Sequence, residues 1–462
     1  MPLKNKIPGI FIVLLVLSLW GEAFAAVDHI HFGSKNTPLE GLTITWQGNY
    51  SHCRIRWGYT TSYEQEKGAK IEGRIEFGDN KYYLFDYTFP ALEPSKVIHY
   101  SFQEYNAIYD CWSYTSEWTR DYTFQTSADV KSERFTFIAG GDSRGENCWL
   151  QMEGWQTVAE ALKNTNADFY LYMGDLVIQG GDKQMWNTWY EAGRNFLSQK
   201  LVYFSAGNHE TYGDPELYNY INQFVLPENG NFTELYYSFE WGNAVFINLD
   251  TNYDPSKEKG QADIQEQNQW LKNQLIKYRG LGTKNYKEWV IVAFHKPLFT
   301  IDKHMGEMTG EKDCNTKPCY DFTRTWWIDL FDKYGVDVIL NGHTHLYMRS
   351  APILLKGTGP SGKDITFNDK GLPSTPVKKV KYGNKKGQGR LQVVTGGYGV
   401  HLLTEDKLKY KGQWYIAKDE QGNDIYRLDF HYCEFRVAGN VLDMTVKRIP
   451  DNKIIDQVTI KH

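Results

Sequence analysis

Cysteine is scarce in this chain, surplus charge of either sign is small, and only one long apolar run occurs. The net charge of −5 and a pI near 6.2 supply no global attraction for nucleic acid. The run Ile10–Leu19 is short for a membrane span, and no later stretch reaches the roughly 18 apolar residues that a span requires. There is no P-loop ending in Gly-Lys-Ser or Gly-Lys-Thr and no H-E-x-x-H pair, which argues against a P-loop nucleotidase or a zincin protease. Neither Ser143 nor Ser205 is read as a nucleophile.

Lys4, Lys6, the run Ile10–Leu19 and Ala23-Phe24-Ala25 read as a secretory signal over residues 1–25, with a retained single-span anchor as the alternative. No Cys follows the cleavage point, which argues against a lipid anchor. The expectation is a secreted or periplasmic protein with no membrane contact after cleavage. The cysteines number six, an even count that suits such an oxidising compartment. Cys314 and Cys319 enclose only Asn315–Pro318 and suggest a local staple. Cys53 and Cys111 could pair in the N-terminal region, which leaves Cys148 with Cys433.

At 462 residues the chain exceeds one ordinary core and predicts two or three domains. Over residues 26–127, short alternating strands such as Leu42–Trp46, Cys53–Trp57, Val97–Glu104 and Asp121–Thr126 predict an all-β sandwich. Ser127–Arg134 is polar and reads as a linker. From residue 134 to 462 the period changes to strands alternating with helices, the α/β pattern. Strands are predicted at Arg134–Ala139, Asp168–Met173, Leu201–Ala206, Trp289–Phe294 and Val336–Leu340. Helices are predicted at Gln156–Asn164, Met185–Leu197, Ile264–Tyr278 and Thr323–Lys333. Pro352–Arg390 interrupts the pattern with seven Gly, four Pro, eight Lys and one Arg against two Asp. Such a stretch builds no core and reads as a long basic loop, either a solvated excursion or a rim attracting phosphorylated substrate. Alternation then returns through Leu391–Gly397 and Phe430–Ile460, completing a second sheet.

What the sequence does have is five short blocks in fixed order: Gly140–Gly145 (GGDSRG), Gly174–Val177 (GDLV), Gly207–Glu210 (GNHE), Ala293–His295 (AFH) and Gly342–His345 (GHTH). Each follows one of the predicted strands at its carboxyl end, where open α/β sheets gather ligands. Asp175 can offer one carboxylate oxygen to each of two cations. Asp142 and His345 would then hold the first ion, and Asn208, His295 and His343 the second. Mixed carboxylate and imidazole donors suit Fe, Zn or Mn rather than Ca. Two such divalent or trivalent ions can clamp the attacking and leaving oxygens of an in-line displacement and generate hydroxide from water, the chemistry of phosphoester hydrolysis. His209, beside Asn208, is placed as a general acid, with Glu210 able to orient its ring. His304 is a second candidate for contacting phosphate or moving a proton.

These blocks resemble the calcineurin-type metallophosphoesterases, and in particular the purple acid phosphatase branch. Leu235–Thr251 is similar to the family's strand pair before a long helix, His345–Ser350 (HLYMRS) resembles its HxYxRS tail, and Thr395-Gly396-Gly397 resembles its late glycine turn. The resemblance implies a four-layer α/β (α+β) catalytic sandwich over 134–462, with 352–390 as a loop insertion, preceded by a fibronectin III-like β-domain. It also implies metal ligands at Asp142, Asp175, Asn208, His295, His343 and His345, roles in acid catalysis or phosphate binding for His209 and His304, and a small phosphorylated substrate, of monoester or diester type. Two positions depart from the family. Ile178 stands where purple enzymes carry the iron-binding Tyr, which predicts a colourless protein. Arg144 stands where many non-purple relatives carry a ligating His. Arg144 is therefore read either as a phosphate-binding guanidinium or as a structural ion pair, and a degenerate, non-catalytic binding protein on this fold is the alternative reading of the whole chain.

Overall fold

A computed structural model describes residues 27–462 except 36, 69, 78–79, 109–110, 115–116, 146–151, 231–233, 254–256, 307–323, 355–379 and 384–387. The signal segment, Cys148, Cys314, Cys319 and most of 352–390 lie outside the described residues. Among the described residues no helix is long and apolar enough to cross a membrane.

The N-terminal part forms two antiparallel sheets. One has the order β1 (Val27–Ser34), β2 (Leu42–Gly48), β6 (Asn80–Thr88), β5 (Lys70–Phe77), with the single helical turn α1 (Pro38–Gly41) between β1 and β2. The other has the order β4 (Gln65–Gly68), β3 (His52–Gly58), β7 (Val97–Ile108), β8 (Cys111–Tyr114), and β9 (Tyr122–Gln125) also pairs with β7. Their facing sides bury Ile44, Trp46, Ile55 and Phe102, with the Trp46 and Phe102 rings 4.6 Å apart. Cys53 is a free thiol on this core, and Cys433 is equally free and buried. The expected pairings Cys53–Cys111 and Cys148–Cys433 are therefore not formed. Burial pushes both thiols up to about 12, so they pack as small apolar groups.

From Arg134 onward two sheets pack face to face between helices. The first has the order β12 (Val202–Phe204), β11 (Phe169–Tyr172), β10 (Arg134–Gly140), β20 (His431–Ala438), β21 (Val441–Arg448), β22 (Ile454–Lys461). The second has the order β13 (Tyr237–Trp241), β14 (Ala244–Asn248), β15 (Trp289–Ala293), β16 (Val338–Asn341), β18 (Leu391–Thr395), β17 (Tyr347–Arg349), β19 (Tyr426–Arg427). Residues alternate across each strand, and that alternation decides the layers. Ala244, Phe246 and Ile291 join the core between the sheets, whereas Val245, Ile247, Val290 and Val292 join the core beneath the outer helices. Phe246 meets Phe137 and Phe169 edge-on at 5.1 Å. Each such fully buried side chain contributes about 1.5–3 kcal/mol.

Helices α2 (Glu153–Lys163) and α3 (Lys183–Leu197) cover the outer face of the first sheet. Trp155, Val158, Ala159 and Leu162 recur at helical spacing and are buried, and Trp155 stacks on Trp189 of α3 at 5.8 Å. Asp182 caps α3 through the Gln184 N–H. A short α4 (Tyr218–Gln223) follows. On the second sheet lie the 22-residue α5 (Glu258–Arg279) and α6 (Arg324–Tyr334), burying Trp270, Leu271, Trp327 and Phe331. The C-terminal part divides differently from expectation: Leu391–Thr395 enters the second sheet, but β20–β22 extend the first. The HLYMRS segment clasps the two sheets, because Tyr347 and Arg349 of β17 both bond the Asp456 carboxylate on β22.

The N-terminal sheets do not hang from a free linker. Their core is continuous with that of the first of the two later sheets. His31 reaches the Gln223 carbonyl at 2.7 Å, the Tyr100 hydroxyl donates to the Ser198 carbonyl, and His29 stacks on Tyr190 at 4.1 Å.

Candidate metal centre

The five strands that precede the blocks divide between the sheets. β10, β11 and β12 deliver Asp142, Asp175 and Asn208 from the first, and β15 and β16 deliver His295, His343 and His345 from the second. Just past the strand ends the backbone turns left-handed at Asp142 (φ 66), Asp175 (φ 56) and His343 (φ 67). Each such non-glycine residue costs of order 1–3 kcal/mol and persists only where surroundings enforce it. Here a ladder between blocks does so: Asp142 N–H donates to the Gly174 carbonyl at 2.9 Å, Ser143 and Arg144 N–H donate to the Asp175 carbonyl at 3.0 Å, and His343 N–H donates to the Asp142 carboxylate at 2.9 Å. The block glycines are needed for the approach. A Cβ at Gly342 would sit 2.4 Å from Asp142 Oδ2, and one at Gly207 would sit 2.3 Å from Asp175 Oδ1.

The expected ligands converge as two groups that share one carboxylate. Asp175, His295 and His343 form one, and Asp142, Asp175 and His345 form the other, with the ligand atoms of each group within 4.8 Å of one another. His295 places Nδ1 on the Met173 carbonyl at 2.6 Å, which fixes the tautomer and leaves Nε2 inward. Around that Nε2 stand Asn208 Oδ1 at 3.1 Å, His343 Nδ1 at 3.1 Å and Asp175 Oδ1 at 3.2 Å. A single nitrogen cannot satisfy three acceptor-type atoms, but a cation among them satisfies all of them. His345 repeats the device, with Nδ1 on the His401 carbonyl at 2.9 Å and Nε2 3.8 Å from Asp142 Oδ1. The residues thus fit two metal ions.

Electrostatics in the metal-free site differ between the two histidines, and at His295 a cation would have to displace a proton. Burial alone would raise the Asp175 carboxyl, but His295, His209 and Arg144 outweigh it and hold the group well below the usual carboxylate range. Burial alone would lower His295, but the Asp175 carboxylate carries it up to about 9. Burial and then Arg144 push His345 down to about 3, which keeps its imidazole neutral, the form that ligates a metal.

Glu210 does not orient His209, as the sequence suggested. Its buried carboxylate accepts the backbone N–H of Asp175, Leu176, Val177 and Gly207 at 2.6–3.3 Å and so staples the second block to the third. His209 instead has Nδ1 on the Ile178 carbonyl at 2.7 Å, which turns Nε2 toward Asp175 Oδ2 at 3.9 Å. The Ile178 side chain is partly buried and packs against the apolar core.

A cleft of about 580 Å³ opens over the ligands, lined by Arg144, His209, His304, Lys296 and Lys303 among others. Its cationic wall suits an anionic ligand. Arg144 Nε lies 3.6 Å from Asp175 Oδ2 and makes no hydrogen bond among the described residues. Its guanidinium is therefore in the cleft, beside the first group. His304 lies against His343 with ring centroids 4.4 Å apart, within the same cleft. Sequence reasoning passed over Lys296, Lys303 and Tyr212, which also line it; an aromatic two residues after Glu210 and two lysines beside His295 and His304 were the available signals. Ser143 stands in a literal G-x-S-x-G string, Gly141–Gly145, yet its hydroxyl is buried and occupied. It donates to the Leu176 carbonyl and accepts from Trp189 Nε1. Ser205 is tied to Asn248.

Left-handed Asp and His residues at the carboxyl ends of strands from two facing sheets, sharing one bridging carboxylate, define a two-metal phosphoesterase centre. The sequence model of the calcineurin-like phosphoesterase family matches residues 145–347. Acid phosphatase type 7 of Mus musculus is 31% identical over 94% of this chain and 90% of its own length. Purple acid phosphatase 18 of Arabidopsis thaliana is 25% identical over 57% of this chain, and the chain spans only 58% of that protein's length. The solved structure of purple acid phosphatase PPD1 from yellow lupin seeds shares the fold over 94% of this chain and 74% of its own, with TM-score 0.66 at 16% identity. The chain belongs to the calcineurin-like phosphoesterase family, in its purple acid phosphatase branch.

Proposed function

We propose that this protein is an exported, binuclear metal-dependent phosphoesterase that hydrolyses phosphomonoesters. The observation that carries the reading is the pair of ligand groups sharing Asp175 at the floor of a cationic cleft. Asp142, Asp175 and His345 would hold one ion, and Asp175, Asn208, His295 and His343 the other. When bound, the ions polarise phosphoryl oxygens and make water a nucleophile near neutral pH. The chain's own residues do the rest. Arg144 and His304 face the phosphoryl oxygens from the cleft wall and draw off charge as it builds. His209 keeps one proton on Nδ1, held by the Ile178 carbonyl, and passes the other from Nε2 to the leaving oxygen.

The N-terminal pair of antiparallel sheets is read as a fibronectin III-like domain over 26–127 that buttresses α3 and α4. Residues 1–25 are read as a signal that takes the protein to a secreted or periplasmic location. Arg144 favours one competing reading, a binding protein whose first metal position has been given up. Purified protein separates the two: about two ions per chain with turnover of p-nitrophenyl phosphate supports the enzyme. One ion or none, with no turnover of mono- or diesters, supports the binding protein.

A further inference from the structure

Beside the ligands, Asp302 joins its own turn, which carries His304, to the block that carries His343 and His345. It is only 1% exposed, and its two oxygens have separate tasks. Oδ1 accepts the His304 backbone N–H at 3.2 Å and the hydroxyls of Thr300 at 3.3 Å and Thr344 at 3.5 Å. Thr344 is the residue between His343 and His345, so this oxygen ties the metal-binding block to the turn carrying His304. Oδ2 stands 2.6 Å from His304 Nδ1.

The approach is bent away from regular hydrogen-bond geometry, yet at that separation a proton on Nδ1 replaces a repulsion between two lone pairs and so favours Nδ1–H. That contact holds one edge of the ring, and His304 lines the cleft. The supporting turn is firmly seated. Thr300, Ile301 and Met305 are all at most 1% exposed, and the Thr300 carbonyl accepts from the Tyr415 hydroxyl at 2.8 Å.

We infer that Asp302 is a positioning residue, which acts on phosphoester turnover through His304 by holding Nδ1–H and aiming Nε2 at the substrate. This deepens the proposed function and rests on it for its kinetic part only. Asp302→Asn keeps an oxygen for the Oδ1 contacts and puts an N–H₂ donor against Nδ1. Asp302→Ser keeps a shorter capping oxygen, should the first variant fold poorly.

The test uses the full chain. Selective ¹⁵N labelling of histidine reads the tautomers of the metal-free protein: His304 is expected as Nδ1–H in the wild type and Nε2–H in D302N. An unchanged His304 signal would overturn the inference, whatever the enzyme does. In the metal-loaded protein D302N is expected to lower kcat for p-nitrophenyl phosphate by about 10- to 100-fold, with metal content and unfolding temperature held. The double variant D302N/H304A should then be no slower than H304A alone. Losses that multiply would mean that Asp302 acts independently of His304, and would also overturn it. A wild type with no hydrolysis at all would sink the proposed function, while the tautomer measurement would still decide the role of Asp302.

Discussion

On one side of Asp175, His295 Nε2 has Asn208 Oδ1 and His343 Nδ1 each at 3.1 Å; on the other, His345 Nε2 stands 3.8 Å from Asp142 Oδ1 with the Arg144 guanidinium close by. Both sides take candidate ligands from both sheets, and the tighter one gathers two imidazoles and an amide oxygen about Asp175. The looser side has two carboxylates and a single imidazole, and a fixed positive charge stands 3.6 Å from the bridging carboxylate. A cation there is drawn by Asp142 and Asp175 and repelled by Arg144. The two proposed sites that share this carboxylate are therefore expected to differ in strength, the weaker being the side that holds Arg144.

Replacing Asp175 by Asn breaks both sides together. Bound metal should fall from two ions per chain, and turnover of p-nitrophenyl phosphate should drop to below about a thousandth. Full activity in that variant would refute the ligand assignment. The next test separates the sides. His345→Ala should leave one tightly held ion, whereas His295→Ala should lose the tight ion. Stepwise chelation of the wild type should remove the looser ion at about 10- to 100-fold lower chelator, read by elemental analysis.

A smaller effect bears on Arg144 alone. Arg144→Ala should raise KM for p-nitrophenyl phosphate about tenfold with less change in kcat, the pattern of lost ground-state binding. Arg144→His should tighten the looser ion by about tenfold; no gain in affinity would mean the guanidinium does not weaken that side. The smallest expected signal is spectroscopic. Iron-loaded protein should show no phenolate-to-iron band, because position 178 offers an Ile packed into the core. A purple holoprotein would show that another Tyr reaches the metal.

The candidate ligand set was legible because each residue follows a β-rich strand, in four of the five blocks beside a glycine. The glycines report local geometry faithfully: Gly207 and Gly342 are small because a carboxylate oxygen fills the space a Cβ would need. The role of Glu210 was not legible. Adjacent to His209 in sequence, it faces four backbone N–H groups instead, because the left-handed turn at Asp175 brings those donors to one point. Asp302 was missed for the opposite reason: Thr344 meets it only when two loops of the second sheet close together, and its local pairing with His304, two residues on, carries no motif. Cys53 and Cys433 did not pair as expected: each is a free thiol within a strand, packed as a small apolar group in the buried core.

By itself the sequence determined the order of strands and helices, the candidate metal-binding side chains and the family, since periodicity, glycine placement and donor chemistry are local properties. The tertiary structure decided which strands share a sheet, that ligands from two sheets meet at Asp175, and that Arg144 faces that carboxylate. Those facts depend on packing one apolar face against another, and no stretch of the chain carries that information alone.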